Sequence, residues 1–134
     1  GLAHDLLFHR LAVEAIARIR EMKPQELSSL AWAFATLGLA DPALFRAISE
    51  RAARGLEGFK AQELANLAWA FATLGLSCRP LLRAVASASA ARAGDFAPEG
   101  LFSLAWALAR GGEPDLRLFE ALQQQLVSQL PRAG

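Results

Sequence analysis

Three tryptophans, Trp32, Trp69 and Trp106, stand 37 residues apart, each inside the tetrapeptide Leu-Ala-Trp-Ala. Laying residues 23–59 over 60–96 gives 19 identities in 37 positions, among them the unbroken run Leu-Ala-Trp-Ala-Phe-Ala-Thr-Leu-Gly-Leu. A third unit, 97–134, follows more loosely. A unit this short cannot bury its own apolar face. A fixed period of this size therefore marks a stacked array, in which each unit is covered by its neighbours.

The residues within a unit say what is stacked. Alanine and leucine supply 29 and 24 of the 134 residues, whereas valine, isoleucine and threonine together supply 8. That balance favours helix over sheet. Leu27, Leu30, Ala31, Phe34 and Leu37 recur at helical spacing, and Gly38 then suits the left-handed backbone that ends a helix. This is helix A. Asp41 follows as a candidate N-cap with Pro42 at the first helical position, and Leu44, Phe45, Ile48, Ala52 and Leu56 form a second stripe. This is helix B. The second unit repeats the scheme with Gly75, Pro80, Leu81, Leu82 and Val85, and the third with Gly111, Gly112, Pro114, Leu118, Phe119 and Leu122. Residues 6–22 match helix B by register.

The expectation is an all-α protein, an α-solenoid of stacked hairpins with seven helices. Residues 1–22 form a half repeat (helix B), followed by repeats at 23–59, 60–96 and 97–134. Free arrays carry polar capping helices. None is evident at either end here, so the chain reads as a fragment of a longer array, the alternative being a small bundle that keeps repeat ancestry.

Several function classes are disfavoured. The longest uncharged stretches, Leu27–Ala40 and Leu64–Cys78, have 14 and 15 residues, short of the roughly 18 that a membrane span needs. Fourteen basic against thirteen acidic residues create no global field to recruit nucleic acid, so any such binding has to be local. Cys78 is the single cysteine, which rules out an internal disulfide and reads as an incidental thiol. His4 and His9 are the only histidines, and no nucleophile lies beside an evident base and orienting acid. Asp5 and His9 share a helical face, but two ligands fall short of the four that structural zinc takes. The reading is therefore of a non-enzyme with no metal, no cofactor, no small-molecule substrate and no membrane partner.

A candidate binding surface comes from helix A. On a wheel at about 100° per residue, apolar side chains occupy nearly the whole circumference, while Gln25, Ser29 and Thr36 share one narrow wedge. The same wedge holds Gln62, Asn66 and Thr73 in the second unit, and Glu99, Ser103 and Arg110 in the third. Stacking would align them as a ladder, and short hydrogen-bonding side chains suit the edges of unpaired bases. The plain alternative is a solvent-facing or cap-forming role. On helix B, Arg46, Glu50 and Arg54 lie opposite the apolar stripe, and His9, Arg46 and Arg83 form a column one repeat apart that could grip phosphates. Glu120 breaks that column, and a solvated outer face explains it equally well. The tryptophans invite base stacking, but their alanine neighbours better fit indoles that fill the space between hairpins.

The strings Pro-Gln-Glu-Leu-Ser-Ser-Leu-Ala-Trp-Ala-Phe-Ala-Thr-Leu-Gly at 24–38 and Ala-Gln-Glu-Leu-Ala-Asn-Leu-Ala-Trp-Ala-Phe-Ala-Thr-Leu-Gly at 61–75 resemble the octotricopeptide and heptatricopeptide repeat families, and the period fits the latter better. The third unit departs from both at Glu99-Gly100-Leu101-Phe102 and Arg110-Gly111-Gly112. The resemblance implies an organellar protein, mitochondrial or chloroplast, that binds RNA in its stability, processing or translation or in ribosome assembly, with no cofactor. The leading expectation is single-stranded RNA bound in the groove lined by helix A. A scaffold that holds a peptide or partner helix is the alternative, favoured by the near-neutral charge.

Overall fold

The computed structural model describes residues 1–76, 78–112, 115–129 and 131. Among them are seven α-helices: α1 (Leu2–Ala17), α2 (Pro24–Thr36), α3 (Pro42–Ala53), α4 (Ala61–Thr73), α5 (Arg79–Ala90), α6 (Pro98–Arg110) and α7 (Leu116–Gln129). Three 3₁₀ turns, Ile19–Glu21, Leu56–Gly58 and Ala93–Asp95, complete the regular structure. The protein is all-α. From α2 onwards each element starts 37 residues after its counterpart, so the period in the sequence is also the period of the backbone.

Local chemistry sets the ends. At the starts of α2 and α4, the Glu26 and Glu63 carboxylates accept from the backbone N–H of Lys23 and Lys60 at 2.9 and 2.8 Å, satisfying donors that a helix start leaves bare. Gly100 replaces that glutamate in α6. The A helices stop at Gly38, Gly75 and Gly112, whose φ values of 70°, 68° and 77° are left-handed. The next N–H then turns back, Leu39 to the Phe34 carbonyl at 2.8 Å and Leu76 to that of Phe71 at 2.9 Å. In the third unit the left-handed residue is Gly112 and not Gly111. Asp41 accepts from Leu44 N–H at 3.0 Å as expected, and Asp115 accepts from Leu118 N–H at the same distance, a cap the sequence reading missed. Pro114, assigned to that start, lies outside the described residues.

Two further expectations change. Residues 6–22 are not one helix: α1 begins at Leu2 and ends at Ala17, and a 3₁₀ turn follows. Leu56 likewise belongs to a 3₁₀ turn and not to the helix B stripe, because Gly55, with φ −161° and ψ 48°, separates that turn from α3.

The helices form two layers. In one, α2 packs on α4 and α4 on α6; in the other, α1 packs on α3, α3 on α5 and α5 on α7. The A layer is tight because its contacting faces are alanine and leucine: Ala31, Ala61, Ala65, Ala68, Ala72 and Ala107 are all buried. The layers are joined by repeated aromatic pairs. Phe8 meets Phe34 edge-on at 5.9 Å between centroids, and Phe45 meets Phe71 at 5.0 Å one repeat later. Edge-to-face geometry adds about 0.5–1.5 kcal/mol to what burial alone contributes. Leu82 and Leu108 hold those two registers in the third unit and are fully buried.

Candidate nucleic-acid interface

Because α2, α4 and α6 lie side by side, residues at equal register fall into a row across the A layer. Gln25, Ser29 and Thr36 are exposed on α2; Gln62 is exposed and Asn66 half-buried on α4; Ser103 is half-buried, and Glu99 and Arg110 exposed, on α6. The central helix has a neighbour on each side, which explains why its members are the more covered. Gln62 Nε2 donates to Asn66 Oδ1 at 2.9 Å, which leaves the Asn66 amide group free to donate. Gln62 also leans towards α6, its Oε1 lying 3.9 Å from where a Cβ on Gly100 would sit.

Three members of the row are already engaged or hidden. Thr36 Oγ1 donates to the Trp32 carbonyl at 2.8 Å. Arg110 Nε donates to the Ala72 carbonyl at 3.1 Å, an acceptor at the end of α4 that also takes the Gly75 N–H, and its other guanidinium donors remain. Thr73 Oγ1 is buried without a hydrogen-bond partner among the described residues, so it stands apart from the exposed surface.

Of the tryptophans, Trp69 packs partly buried against the core as expected, but Trp32 and Trp106 do not fill the interior. Trp32 and Trp106 are 47% and 45% exposed, and Trp69 is half-buried. The reason is register: Trp32 lies seven residues after Gln25 and four before Thr36, within the polar wedge itself. The buried faces of these helices are instead carried by leucine, phenylalanine and alanine. The Arg110 guanidinium lies over the Trp106 ring, 5.5 Å from its centroid.

The helix B column is placed elsewhere. His9 lines a recess of about 520 Å³ with Phe8, Phe34 and the link into α3, and Arg46 lines the equivalent recess of about 560 Å³ with Phe45, Phe71 and Pro80. Arg83 is exposed on α5. Both recesses sit against the links that leave the A helices and not along the polar row.

A basic recess not foreseen from the sequence lies at the other edge, where the A helices begin. Arg20, Arg51 and Arg54 line a hollow of about 410 Å³. Arg51 is fixed there by donating to the Met22 carbonyl at 3.3 Å, one residue before Lys23, which precedes α2. At the same point one repeat on, Arg92 donates to the Phe59 carbonyl at 2.6 Å, next to Lys60. The acceptors Met22 and Phe59 are 37 residues apart but the donors are not, so no repeat alignment of arginines would have found the site. The described residues contain no group of three or more histidine, cysteine, aspartate or glutamate side chains that could hold a metal, and no helix long and apolar enough to cross a membrane.

The family model described as RNA-editing substrate-binding complex 6 protein matches residues 1–132, and the chain belongs to that family. No curated protein matches it.

Proposed function

We propose that this member of the RNA-editing substrate-binding complex 6 family is a non-catalytic module that holds single-stranded RNA across its A layer. The observation that carries the reading is the polar row: stacking of α2, α4 and α6 puts Gln25 and Ser29, Gln62 and Asn66, and Ser103 and Arg110 at successive steps of one surface. Side chains of this kind donate to and accept from base edges, one repeat per base. The family description, with its reference to an RNA-editing substrate, supports RNA as the partner. Charge is supplied locally by Lys23, Lys60 and the Arg20, Arg51 and Arg54 recess, all at the edge where the A helices start. In this reading phosphates follow that edge, and the His9, Arg46 and Arg83 column is secondary. The repeats are of the heptatricopeptide type, the setting is organellar RNA metabolism, and no cofactor is needed.

A second reading, a protein-binding scaffold, is favoured by one feature. Leu7 and Leu11, four residues apart on one face of α1, are exposed apolar side chains, and the family description refers to a complex. The two surfaces differ, so RNA on the A layer and a protein against α1 are compatible.

Fluorescence anisotropy with labelled single-stranded RNA pools across a salt series tests the RNA reading. Binding should weaken steeply with salt. Asn66→Ala should change base preference with little loss of fold. Arg54→Glu should weaken binding uniformly across sequences and flatten the salt dependence. Absence of binding at low salt would remove the RNA reading.

A further inference from the structure

We propose that Trp32, Trp69 and Trp106 form a base-stacking row, one indole per repeat, on which successive unpaired bases lie while the adjacent polar side chains contact their edges. The inference rests on the RNA reading and adds to it the source of base affinity.

Register places the indoles beside the ladder. At about 100° per residue, Trp32 points about 60° from Ser29 and about 40° from Thr36, and Trp69 and Trp106 stand in the same relation to Asn66 and Thr73 and to Ser103 and Arg110. The packing of α2 on α4 and of α4 on α6 then sets the three side by side. Three and four residues along the helix, where side chains meet, Trp32 and Trp69 have only alanine, serine, threonine or asparagine beside them, whereas Trp106 has Phe102 and Arg110.

Exposure turns placement into a reason. Trp32 and Trp106, left nearly half in water, contribute little to the core, while Trp69 between them is partly buried against it; exposed indoles at matching registers of one face mark an interaction surface more than a packing device. The composition of that face selects the partner. A partner helix would be served by a continuous apolar groove, but here every indole is interleaved with amide, hydroxyl or guanidinium groups. Unpaired bases present that combination, a flat π-face with a hydrogen-bonding rim. At the third step, Arg110 over Trp106 adds a cation that stacks with bases as arginine does elsewhere.

The chain has three tryptophans and no tyrosine, so its long-wavelength emission reports on this row alone. Titration with oligouridylate and oligoadenylate should quench that emission, and an abasic oligomer of equal length and charge should leave it unchanged and bind more weakly. Trp32→Ala and Trp106→Ala should each weaken oligonucleotide binding about fivefold or more, with Trp→Phe retaining most of the affinity. Circular dichroism verifies that each variant is folded, and the wild-type quenching measurement stands without any variant. Binding seen by anisotropy with emission indifferent to bases, and alanine variants that bind like wild type, would overturn the stacking row and leave the RNA reading intact. Failure of every oligomer to bind at low salt would overturn the RNA reading, and the row with it. Quenching produced by a protein partner while RNA leaves the emission unchanged would reassign the face to protein.

Discussion

Leu7 and Leu44 hold the same register position one repeat apart, yet Leu7 is 56% exposed and Leu44 fully buried. The side chain is identical, so its contribution depends on whether an A helix lies against it. Leu44→Ala should therefore cost about 2–5 kcal/mol, and Leu7→Ala under about 1 kcal/mol, read by denaturant unfolding. Equal losses would contradict the register. A similar contrast applies to Ser28 and Ser89. Ser28 Oγ, on the buried side of α2, donates to the Glu63 carbonyl at 3.0 Å and ties α2 to α4. Ser89 Oγ is buried and has no partner among the described residues. Ser28→Ala should lose about 1 kcal/mol, whereas Ser89→Ala should be neutral or stabilising, because it removes a desolvated hydroxyl that gains nothing in return. Thermal melts of the two variants should move in different directions or by clearly different amounts.

Glycine tests the elements, since its cost depends on backbone conformation. Gly75 ends α4 at φ 68°, where a Cβ is strained whatever the space around it. Gly100 is helical and buried in α6, and a Cβ there would make ordinary contacts of 3.5–4.0 Å with Phe96, Gln62 and Ala65. Gly75→Ala should destabilise by about 1–2 kcal/mol. Gly100→Ala should stabilise by up to about 1 kcal/mol through helix propensity, both measured by chemical denaturation. Loss of stability at Gly100 would mean that the α4 to α6 contact is too close for a methyl group. At this scale much could be read in advance: the hairpins, the Gly38 and Gly75 stops and the Asp41 cap all follow from local stereochemistry, which adjacent residues report. The exposure of the tryptophans did not. An indole among alanines looks the same in sequence whether its face meets another helix or solvent, and only the packing of α2, α4 and α6 decides which. The arginine recess was hidden for a related reason. Arg20 lies in a 3₁₀ turn and Arg51 and Arg54 at the end of α3, elements whose meeting depends on how the layers close.

In the whole molecule, coverage is graded along the stack. One register position shows the gradient: Ser28 is buried under α4, Ala65 under α6, and Phe102, with no further A helix beyond it among the described residues, is 56% exposed. The other end behaves alike, with Leu2, Leu7 and Leu11 exposed on α1. Stability in such an array is approximately a sum of unit terms and nearest-neighbour terms. Of α3, α4 and α5, each flanked on both sides in its own layer, the most completely buried should therefore open last. That helix is α4, which packs on α2, α5 and α6 and is the most completely buried of the seven. Native-state hydrogen exchange should show its amides exchanging near the global unfolding limit, with α1 and α7 opening at lower free energy. Oligonucleotide binding supplies the second half of the test. A ligand that bridges the row from Trp32 to Trp106 adds a link between α2, α4 and α6, so slowing of exchange should appear in these three helices together and leave α1 and α7 nearly unchanged. Uniform protection of every helix in the free protein would mean that the array unfolds as a single unit, against the nearest-neighbour description.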